Sequence, residues 1–283
     1  MRRRNLRALC GHGGFSRLSY TEWGEVDNPR VLICVHGLTR NGRDFDFLAR
    51  ELSSDYRVLC PDLPGRGDSD WLMVKADYCL PTYIQAMAAL IARSGADKVD
   101  WLGTSLGGLI GMTIAATPGN PINRLVLNDI GPVMPEAALR RIASFVGTDP
   151  TFETLEQGEA YLHEGLAAFG VTEAAHWAHI VETSIRPAAD GNGFKLHYDP
   201  GIAQVFSDPT ALKDVDIWPV WGMVTAPTLL LRGAESDLLS VETAAQMTLC
   251  GPKADFIEFP NCGHAPALFD HTQISVVKDW LVG

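Results

Sequence analysis

Along this chain, short apolar runs alternate repeatedly with amphipathic segments, and this order restricts the fold to a few architectures. The runs Val31–Val35 and Arg57–Cys60 are almost continuously apolar, as expected of central strands that are covered on both faces. Between them, Phe45, Leu48 and Leu52 recur at helical spacing. This order of strand, helix and strand is typical of a largely parallel sheet.

The alternation continues along the chain and is interrupted once. The later elements predicted in this way are helices over Tyr83–Ile91, Leu109–Ala116, Val241–Met247 and Ser275–Leu281, an antiparallel edge strand over Arg17–Trp23, and strands over Val99–Leu102, Leu125–Leu127, Pro227–Leu231 and Phe256–Phe259. From Pro132 to Asp216 helical patterns dominate instead. We therefore predict an α/β core domain at residues 1–131 and 217–283, with a helical cap inserted at residues 132–216.

Composition and charge exclude several classes of protein. A chain of 283 residues with 46% hydrophobic and 20% charged residues is ordinary for a folded globular protein. The formal charge of −11 offers no basic surface for nucleic acid, and the one basic run, Arg2–Arg4, is expected to be a solvated terminus. The acidic balance also disfavours membranes and anionic substrates, unless arginines converge in a pocket. The expected partner is a small-molecule substrate. The sequence does not decide whether the chain forms a homodimer.

Two further features bear on where the protein acts. The first residues carry charges but no continuous apolar core of a signal peptide, and no stretch reaches the length of a membrane span. The six cysteines are scattered and form no CxxC, and Cys34 and Cys60 lie in predicted buried strands. We expect reduced cysteines and a cytoplasmic location.

The most specific local motif is Gly103–Gly108, with the sequence GTSLGG, between the strand ending at Leu102 and the helix near Leu109. On so tight a turn the backbone of Ser105 must be strained, and side chains at the flanking positions would clash. The turn would lift the serine hydroxyl clear of the sheet. It would also direct the amide of Leu106 at a negative charge forming beside that hydroxyl.

To act as a nucleophile, a serine hydroxyl needs a base within hydrogen-bond reach. That base in turn needs a carboxylate that orients it. Asp237 follows the Pro227–Leu231 strand and His264 follows the next strand, so both are expected at the sheet edge that carries Ser105. We predict that Ser105 is the nucleophile, His264 the general base and Asp237 the acid that orients it. Asp129, just past the Leu125–Leu127 strand, and Glu235 are alternatives for the acid.

A second backbone donor for a developing oxyanion is expected after the first central strand. There the sequence His36-Gly37-Leu38-Thr39 predicts a turn, and the amide of Leu38 is favoured as the donor because a tetrahedral oxyanion usually needs two. The His36 side chain is expected to have only a structural hydrogen bond.

No cofactor is expected. His176, His179 and Glu182 have a spacing that could hold a metal on a helix, but a polar helix face is the favoured interpretation, so we predict no metal. The glycines of Gly103–Gly108 match neither the dinucleotide-binding pattern nor a phosphate-binding loop, so nucleotide binding is not indicated.

Taken together, five motifs of the chain resemble those of the α/β-hydrolase superfamily. They are His36-Gly37, Pro61–Ser69, the GTSLGG turn, Ser236-Asp237 and Gly263-His264. The resemblance implies an eight-stranded, mostly parallel sheet flanked by helices. It also implies structural roles for Asp62, Arg66 and Asp68.

Within that superfamily the chain is similar to capped carboxylesterases, lactonases and carbon–carbon hydrolases of ring-cleavage products, and perhydrolase-type relatives share its triad. The carbon–carbon hydrolases usually carry asparagine where this chain has Thr104. Ser105 argues against relatives with an aspartate nucleophile. The expected function is hydrolysis of a small carboxylic ester or lactone through an acyl-enzyme. The alternatives are carbon–carbon hydrolysis of meta-cleavage products and ligand binding with little turnover.

The cap is expected to select the substrate. Its aromatic residues suggest an apolar pocket, for which Phe145 and Trp177 are the candidate substrate-binding residues. Each could equally belong to the core of the cap.

Overall fold

A computed structural model describes residues 1–208, 210 and 212–283. Positions 209 and 211, both inside the predicted insertion, lie outside the described residues. The strands are β1 Arg2–Leu9, β2 Phe15–Trp23, β3 Val31–Val35, β4 Arg57–Pro61, β5 Val99–Thr104, β6 Ile122–Asn128, β7 Val133–Met134, β8 Thr151–Phe152, β9 Ile185–Pro187, β10 Phe194–Leu196, β11 Val215–Asp216, β12 Thr228–Gly233 and β13 Asp255–Phe259. The helices are α1 Asp46–Leu52, α2 Leu80–Ser94, α3 Leu106–Ala115, α4 Glu136–Phe145, α5 Leu155–Gly165, α6 Ala174–Ser184, α7 Trp218–Met223, α8 Val241–Met247 and α9 His271–Val282.

The main sheet has eight strands in the order β1-β2-β4-β3-β5-β6-β12-β13. The strands from β4 to β13 in this order pair in parallel, whereas β1 with β2 and β2 with β4 pair antiparallel. This arrangement confirms the predicted fold class. Because parallel strands all end at one edge, the residues that follow β5, β6, β12 and β13 are brought together.

The two faces of the sheet are covered by separate apolar clusters. Along β3, Val31, Ile33 and Val35 belong to one cluster, and Leu32 and Cys34 belong to the other. Alternate side chains of a strand point to opposite faces, so β3 is buried on both. This double burial explains why its sequence is a continuous apolar run rather than an alternating one.

The amino-terminal segment differs from the expectation. Arg17–Trp23 was expected at the edge, but β2 lies between β1 and β4, and β1 is the edge strand. Arginines of the Arg2–Arg4 run also have partners, since Arg3 pairs with Asp68 at 2.6 Å and Arg4 pairs with the buried Glu22 at 3.1 Å. Charged side chains on an edge strand discourage pairing with another chain.

The segment from β7 to β11 contains α4, α5 and α6 and adds no strand to the eight-stranded sheet as far as its residues are described. Its ends meet where β7 pairs with β11, with Val133 opposite Asp216. It also contains a three-stranded antiparallel sheet in the order β8-β10-β9, which the helical periodicity did not indicate. Every helix in the described part of the chain is too short or too polar to cross a lipid bilayer.

Candidate active site

Ser105 lies between the last residue of β5 and the first residue of α3, at φ 52° and ψ −115°. A positive φ is rare for a residue with a Cβ atom and costs about 1–3 kcal/mol, so it persists only where the surrounding structure imposes it. The turn places the serine hydroxyl beside a cavity, while its backbone nitrogen donates to Asn128 O at 3.0 Å.

The glycines around Ser105 are required by close backbone approach. A Cβ atom on Gly107 would lie 2.0 Å from Val35 O, and one on Gly103 would lie 2.3 Å from the backbone of Gly107. A Cβ atom on Gly108 would lie 2.4 Å from Ile130 Cγ2. Helix α3 therefore packs against β3 and β5 at a distance that only glycine permits, which accounts for the GTSLGG sequence.

His264 lies in the loop after β13 and reaches Ser105. Its Nε2 is 2.9 Å from Ser105 Oγ, and its Nδ1 is 2.6 Å from Asp129 Oδ2. The imidazole is 12% exposed and the Asp129 carboxylate is fully buried. Since a carboxylate accepts from Nδ1, the hydrogen-bond network assigns the neutral tautomer in which Nε2 accepts from the serine hydroxyl.

The structure contradicts the predicted position of Asp237 beside His264. The Asp237 carboxylate is 46% exposed and forms an ion pair with Arg141 of α4, in which Arg141 Nη2 donates to Asp237 Oδ1 at 2.8 Å. Asp129, the alternative considered from the sequence, takes the place next to the imidazole. The other alternative, Glu235, is exposed.

The local structure after β6 and β12 explains why Asp129 occupies this position. Asp129 follows β6 at φ 57°, and Gly233 N donates to its Oδ1 at 2.9 Å. The residue of the β12 loop that reaches the carboxylate is Ser236, whose hydroxyl donates to Asp129 Oδ2 at 2.6 Å. Ser236 Oγ in turn accepts from the amides of Leu238 and Leu239, so the hydroxyl hydrogen is directed at Asp129.

The predicted backbone donors lie next to Ser105. Leu106 is the first residue of α3, so its amide has no acceptor in a preceding turn of that helix. Leu38 lines the same cavity as Ser105 and His264, and Arg66 Nε donates to Leu38 O at 2.8 Å. The loop that carries the Leu38 amide is thus fixed by the Pro61–Ser69 motif.

The side chain of His36 has the structural position expected from the sequence. It is fully buried, Leu63 N donates to its Nε2 at 2.9 Å, and its Nδ1 is 2.7 Å from Gly37 O. Burial lowers the pKa of His36 to about 3, because a charged imidazole would lose its hydration. A neutral His36 therefore joins the loop after β3 to the loop after β4.

Of the three charged residues of the Pro61–Ser69 motif, Asp62 and Arg66 are buried. Asp62 accepts from the amides of Gly42 and Asp68 at 2.8 and 2.9 Å, and burial raises its pKa to about 6. Arg66 is fully buried and also donates to Pro64 O and to the Tyr83 hydroxyl. Asp68, by contrast, is partly exposed and pairs with Arg3.

Two adjoining cavities lie between the core and the segment after β6. The smaller, of about 90 Å³, is lined by Ser105, His264 and Leu38 among others. The larger, of about 360 Å³, lies farther along and is lined by residues such as Tyr161 and Tyr198. The volume of the larger cavity falls within the range of about 300–1,000 Å³ that is common for small-molecule pockets.

The two candidate cap residues have different positions. Phe145 lines both cavities. Trp177 lines neither, and the prediction that it lines the pocket is therefore contradicted. Its indole is buried, stacks on His163 with ring centroids 3.7 Å apart and donates to Val171 O at 3.0 Å, so it belongs to the core of its own segment.

The pattern His176, His179 and Glu182 forms no metal site in the described part of the chain, where no group of three or more possible ligands comes together. Instead, both histidines pack edge-on against Phe47, and His179 Nε2 lies 2.9 Å from Arg43 O. These contacts join α6 to the core.

Two arginines that line both cavities were not found from the sequence. Arg40 lies in the loop after β3, and Arg141 lies in α4. No motif marks either residue, and only the packing of α4 over the sheet edge brings Arg141 near Ser105.

The comparisons with known proteins extend over nearly the whole chain. A model of the alpha/beta hydrolase family matches residues 32–274. The 3-hydroxybutyrate-oligomer hydrolase of Cupriavidus necator is 44% identical over 276 residues, which cover 95% of this chain and 94% of that protein. The crystal structure of an alpha/beta hydrolase from Novosphingobium aromaticivorans has 36% identity and a TM-score of 0.86, covering 99% of this chain and 97% of that chain. A crystal structure from Rickettsia typhi has 30% identity and a TM-score of 0.92, covering 99% of both chains.

Proposed function

Because the chain belongs to the alpha/beta hydrolase family, we propose that it is a serine carboxylic ester hydrolase in which Ser105 is the nucleophile, His264 the general base and Asp129 the orienting acid. The observation that carries this proposal is the continuous hydrogen-bond chain from Ser105 Oγ through the imidazole to the buried carboxylate, with distances of 2.9 and 2.6 Å. A nucleophile, a base and an orienting group in contact are the arrangement that acyl transfer needs.

In the acylation step, Ser105 Oγ attacks the ester carbonyl carbon while its proton moves to Nε2 of His264. The carbonyl oxygen becomes an oxyanion, which accepts hydrogen bonds from the amides of Leu38 and Leu106. The intermediate then collapses with cleavage of the bond to the alkoxy oxygen. That oxygen takes the proton from His264, so an alcohol leaves and an acyl group remains on Ser105.

In the deacylation step, water enters and gives a proton to Nε2 of His264 as its oxygen attacks the acyl carbon. The second tetrahedral intermediate uses the same two amide donors. Its collapse releases a carboxylic acid, and the proton on Nε2 returns to Ser105 Oγ. The net reaction consumes one ester and one water and produces one acid and one alcohol.

Asp129 supports both steps by holding the imidazole and stabilising it when it is protonated. Its carboxylate is fully buried, where an unpaired charge would be costly. The donors Gly233 N and Ser236 Oγ offset that cost in the resting state. Ser236 therefore acts as a positioning residue, because it fixes the oxygen that contacts His264.

For the substrate class, we propose esters of hydroxy acids, with 3-hydroxybutyrate oligomers as the first candidates. The support is the 44% identity to a 3-hydroxybutyrate-oligomer hydrolase along almost the full length of both proteins. A cavity of about 90 Å³ at Ser105, continued by one of about 360 Å³, also suits a substrate that extends beyond the cleaved bond.

We further propose that residues 132–216 act as a lid over the site. Arg141, Phe145 and Leu166 of this segment line both cavities. Contacts to the core hold the lid near the triad, since Gly263 N donates to Ala168 O at 2.7 Å. A lid of this kind excludes water and positions the substrate without supplying the reacting groups.

The direct test is release of 3-hydroxybutyrate from its dimer and trimer, measured by liquid chromatography. The wild type should cleave both, and Ser105→Ala should lose at least about a thousandfold in kcat while its thermal unfolding is unchanged. Cleavage of simple esters but of neither oligomer would overturn the substrate assignment. Near-normal cleavage by Ser105→Ala would overturn the mechanism.

A further inference from the structure

The two cavities described above share one wall. The residues that line both of them are Thr39, Arg40, Arg141, Phe145, Gly165 and Leu166. A substrate whose ester bond lies at Ser105 can therefore extend along this wall into the larger cavity. The wall is apolar at Phe145 and Leu166, and it is charged at the two arginines.

The two arginines differ in how far their charge is already compensated. Arg40 is 5% exposed, donates to both oxygens of Asp44, and donates through Nη1 to Ser184 Oγ at 2.7 Å. It is thus a buried structural group. Arg141 is 44% exposed and is paired with the similarly exposed Asp237, which lines neither cavity.

The guanidinium of Arg141 has donors to spare. An arginine has five N–H groups, and Asp237 accepts from Nε and from one N–H of Nη2. Within the described part of the chain, the two N–H groups of Nη1 and the second one of Nη2 have no acceptor, so they can donate to a further carboxylate. An exposed ion pair contributes little stability by itself, so Asp237 can keep the guanidinium in place while a second carboxylate binds.

We propose that Arg141 determines specificity by binding the free carboxylate of an ester substrate whose scissile bond lies at Ser105. This inference rests on the proposed ester hydrolysis and adds that the preferred substrates are anionic hydroxy-acid esters. The formal net charge of the chain is −11, which repels anions at long range. An anionic substrate therefore needs a local cation at the site, and Arg141 supplies it beside the cavity that contains Ser105.

The test compares two forms of the 3-hydroxybutyrate dimer, one with its free carboxylate and one with that group converted to a primary amide. Both contain the same single ester bond, whose cleavage is followed by liquid chromatography and mass spectrometry. The variants are Arg141→Gln and, as a matched control, Arg140→Gln. Arg140 is the neighbouring residue of α4, is similarly exposed and pairs with Glu136, but it lines neither cavity.

The wild type and Arg140→Gln should both favour the acid over the amide in kcat/KM. Arg141→Gln should lose about tenfold to a hundredfold on the acid, as expected for hydrogen bonds to a charged group, and change little on the amide. Arg141→Lys, which keeps the charge but not the planar fork, should lie between them. Equal cleavage of acid and amide by the wild type, or an unchanged preference in Arg141→Gln, would overturn the proposal while leaving ester hydrolysis intact.

A wrong substrate assignment gives a different result from a wrong role for Arg141. If the wild type cleaves neither dimer but cleaves 4-nitrophenyl acetate, the oligomer assignment is wrong. Inhibition of that reaction by the dimer acid then tests Arg141 alone. Inhibition that is at least about tenfold weaker in Arg141→Gln than in Arg140→Gln supports the carboxylate site, and equal inhibition or none overturns it.

Discussion

Replacing each of the two competing aspartates by asparagine separates the orienting acid from a surface ion pair. Asp129 accepts three hydrogen bonds, from Gly233 N on Oδ1 and from Ser236 Oγ and His264 Nδ1 on Oδ2. Asparagine has one acceptor oxygen and one donor NH₂ group. Asp129→Asn must therefore present its NH₂ group either to the Gly233 amide, which also donates, or to Nδ1 of His264.

The second orientation is the damaging one for catalysis. A donor facing Nδ1 favours the imidazole tautomer that carries its proton on Nε2, and this tautomer cannot accept the proton of Ser105. The expected loss in kcat is about four orders of magnitude, or about 5 kcal/mol in activation free energy. Asp237→Asn removes only an exposed ion pair worth about 0–1 kcal/mol, so we expect less than about a fivefold change.

The assay is hydrolysis of 4-nitrophenyl acetate, a neutral ester that makes no use of the proposed carboxylate site. Thermal unfolding of both variants serves as the control for folding. A loss of several orders of magnitude in Asp237→Asn, with near-normal turnover in Asp129→Asn, would refute the assignment of the acid.

Three further predictions concern Ser236, the aromatic residues Phe145 and Trp177, and His36. Ser236→Ala should lower kcat about tenfold and leave KM for 4-nitrophenyl acetate unchanged, because it loosens the Asp129 oxygen that contacts His264; an unchanged kcat would show that Ser236 has no positioning role. Phe145→Ala should change the relative kcat/KM among 4-nitrophenyl esters of different acyl length by about tenfold, whereas Trp177→Phe should leave that ranking unchanged; the opposite result would place Trp177 in the pocket. Because burial lowers the pKa of His36 in the folded protein, the imidazole is protonated first in the unfolded state as the pH falls below about 6.5. The stability contributed by neutral His36 is therefore lost between about pH 6.5 and 3. The difference in unfolding free energy between the wild type and His36→Asn, measured by urea denaturation, should therefore shrink as the pH falls, and a constant difference would contradict a buried neutral imidazole.

The sheet and the nucleophile turn could be predicted from the sequence because both depend on local constraints. A strand that is buried on both faces must be continuously apolar, as Val31–Val35 is, and the turn at Ser105 requires glycines where backbones approach closely. Such requirements appear in consecutive residues. They can therefore be recognised before any long-range contact is known.

The position of the acid could not be predicted in the same way. Strands β6 and β12 are neighbours in the sheet, so Asp129 and Asp237 both follow strands that end at the same edge. Which carboxylate reaches His264 depends on the left-handed backbone of Asp129 and on the hydroxyl of Ser236, which occupies the β12 side of the site. Neither feature has a signal in the sequence.

In the segment between β7 and β11, the sequence likewise could not predict which aromatic side chains line the cavities. Phe145 and Trp177 are both aromatic residues of the insertion, yet Phe145 lines the cavities and Trp177 packs on His163. An apolar stripe shows that a helix face is covered, but it does not show whether protein or substrate covers it. Arg141 is a similar case, because its role depends on how α4 lies over the sheet edge.

The proposed ester hydrolysis proceeds through an acyl group on Ser105. Its most direct test is rapid acid quenching of the wild type during turnover of 4-nitrophenyl acetate, followed by peptide mass spectrometry. We expect a single acetyl group on the peptide that contains Ser105, and none in Ser105→Ala. Full turnover without any acetylated peptide, or acetylation at another residue that persists in Ser105→Ala, would contradict it.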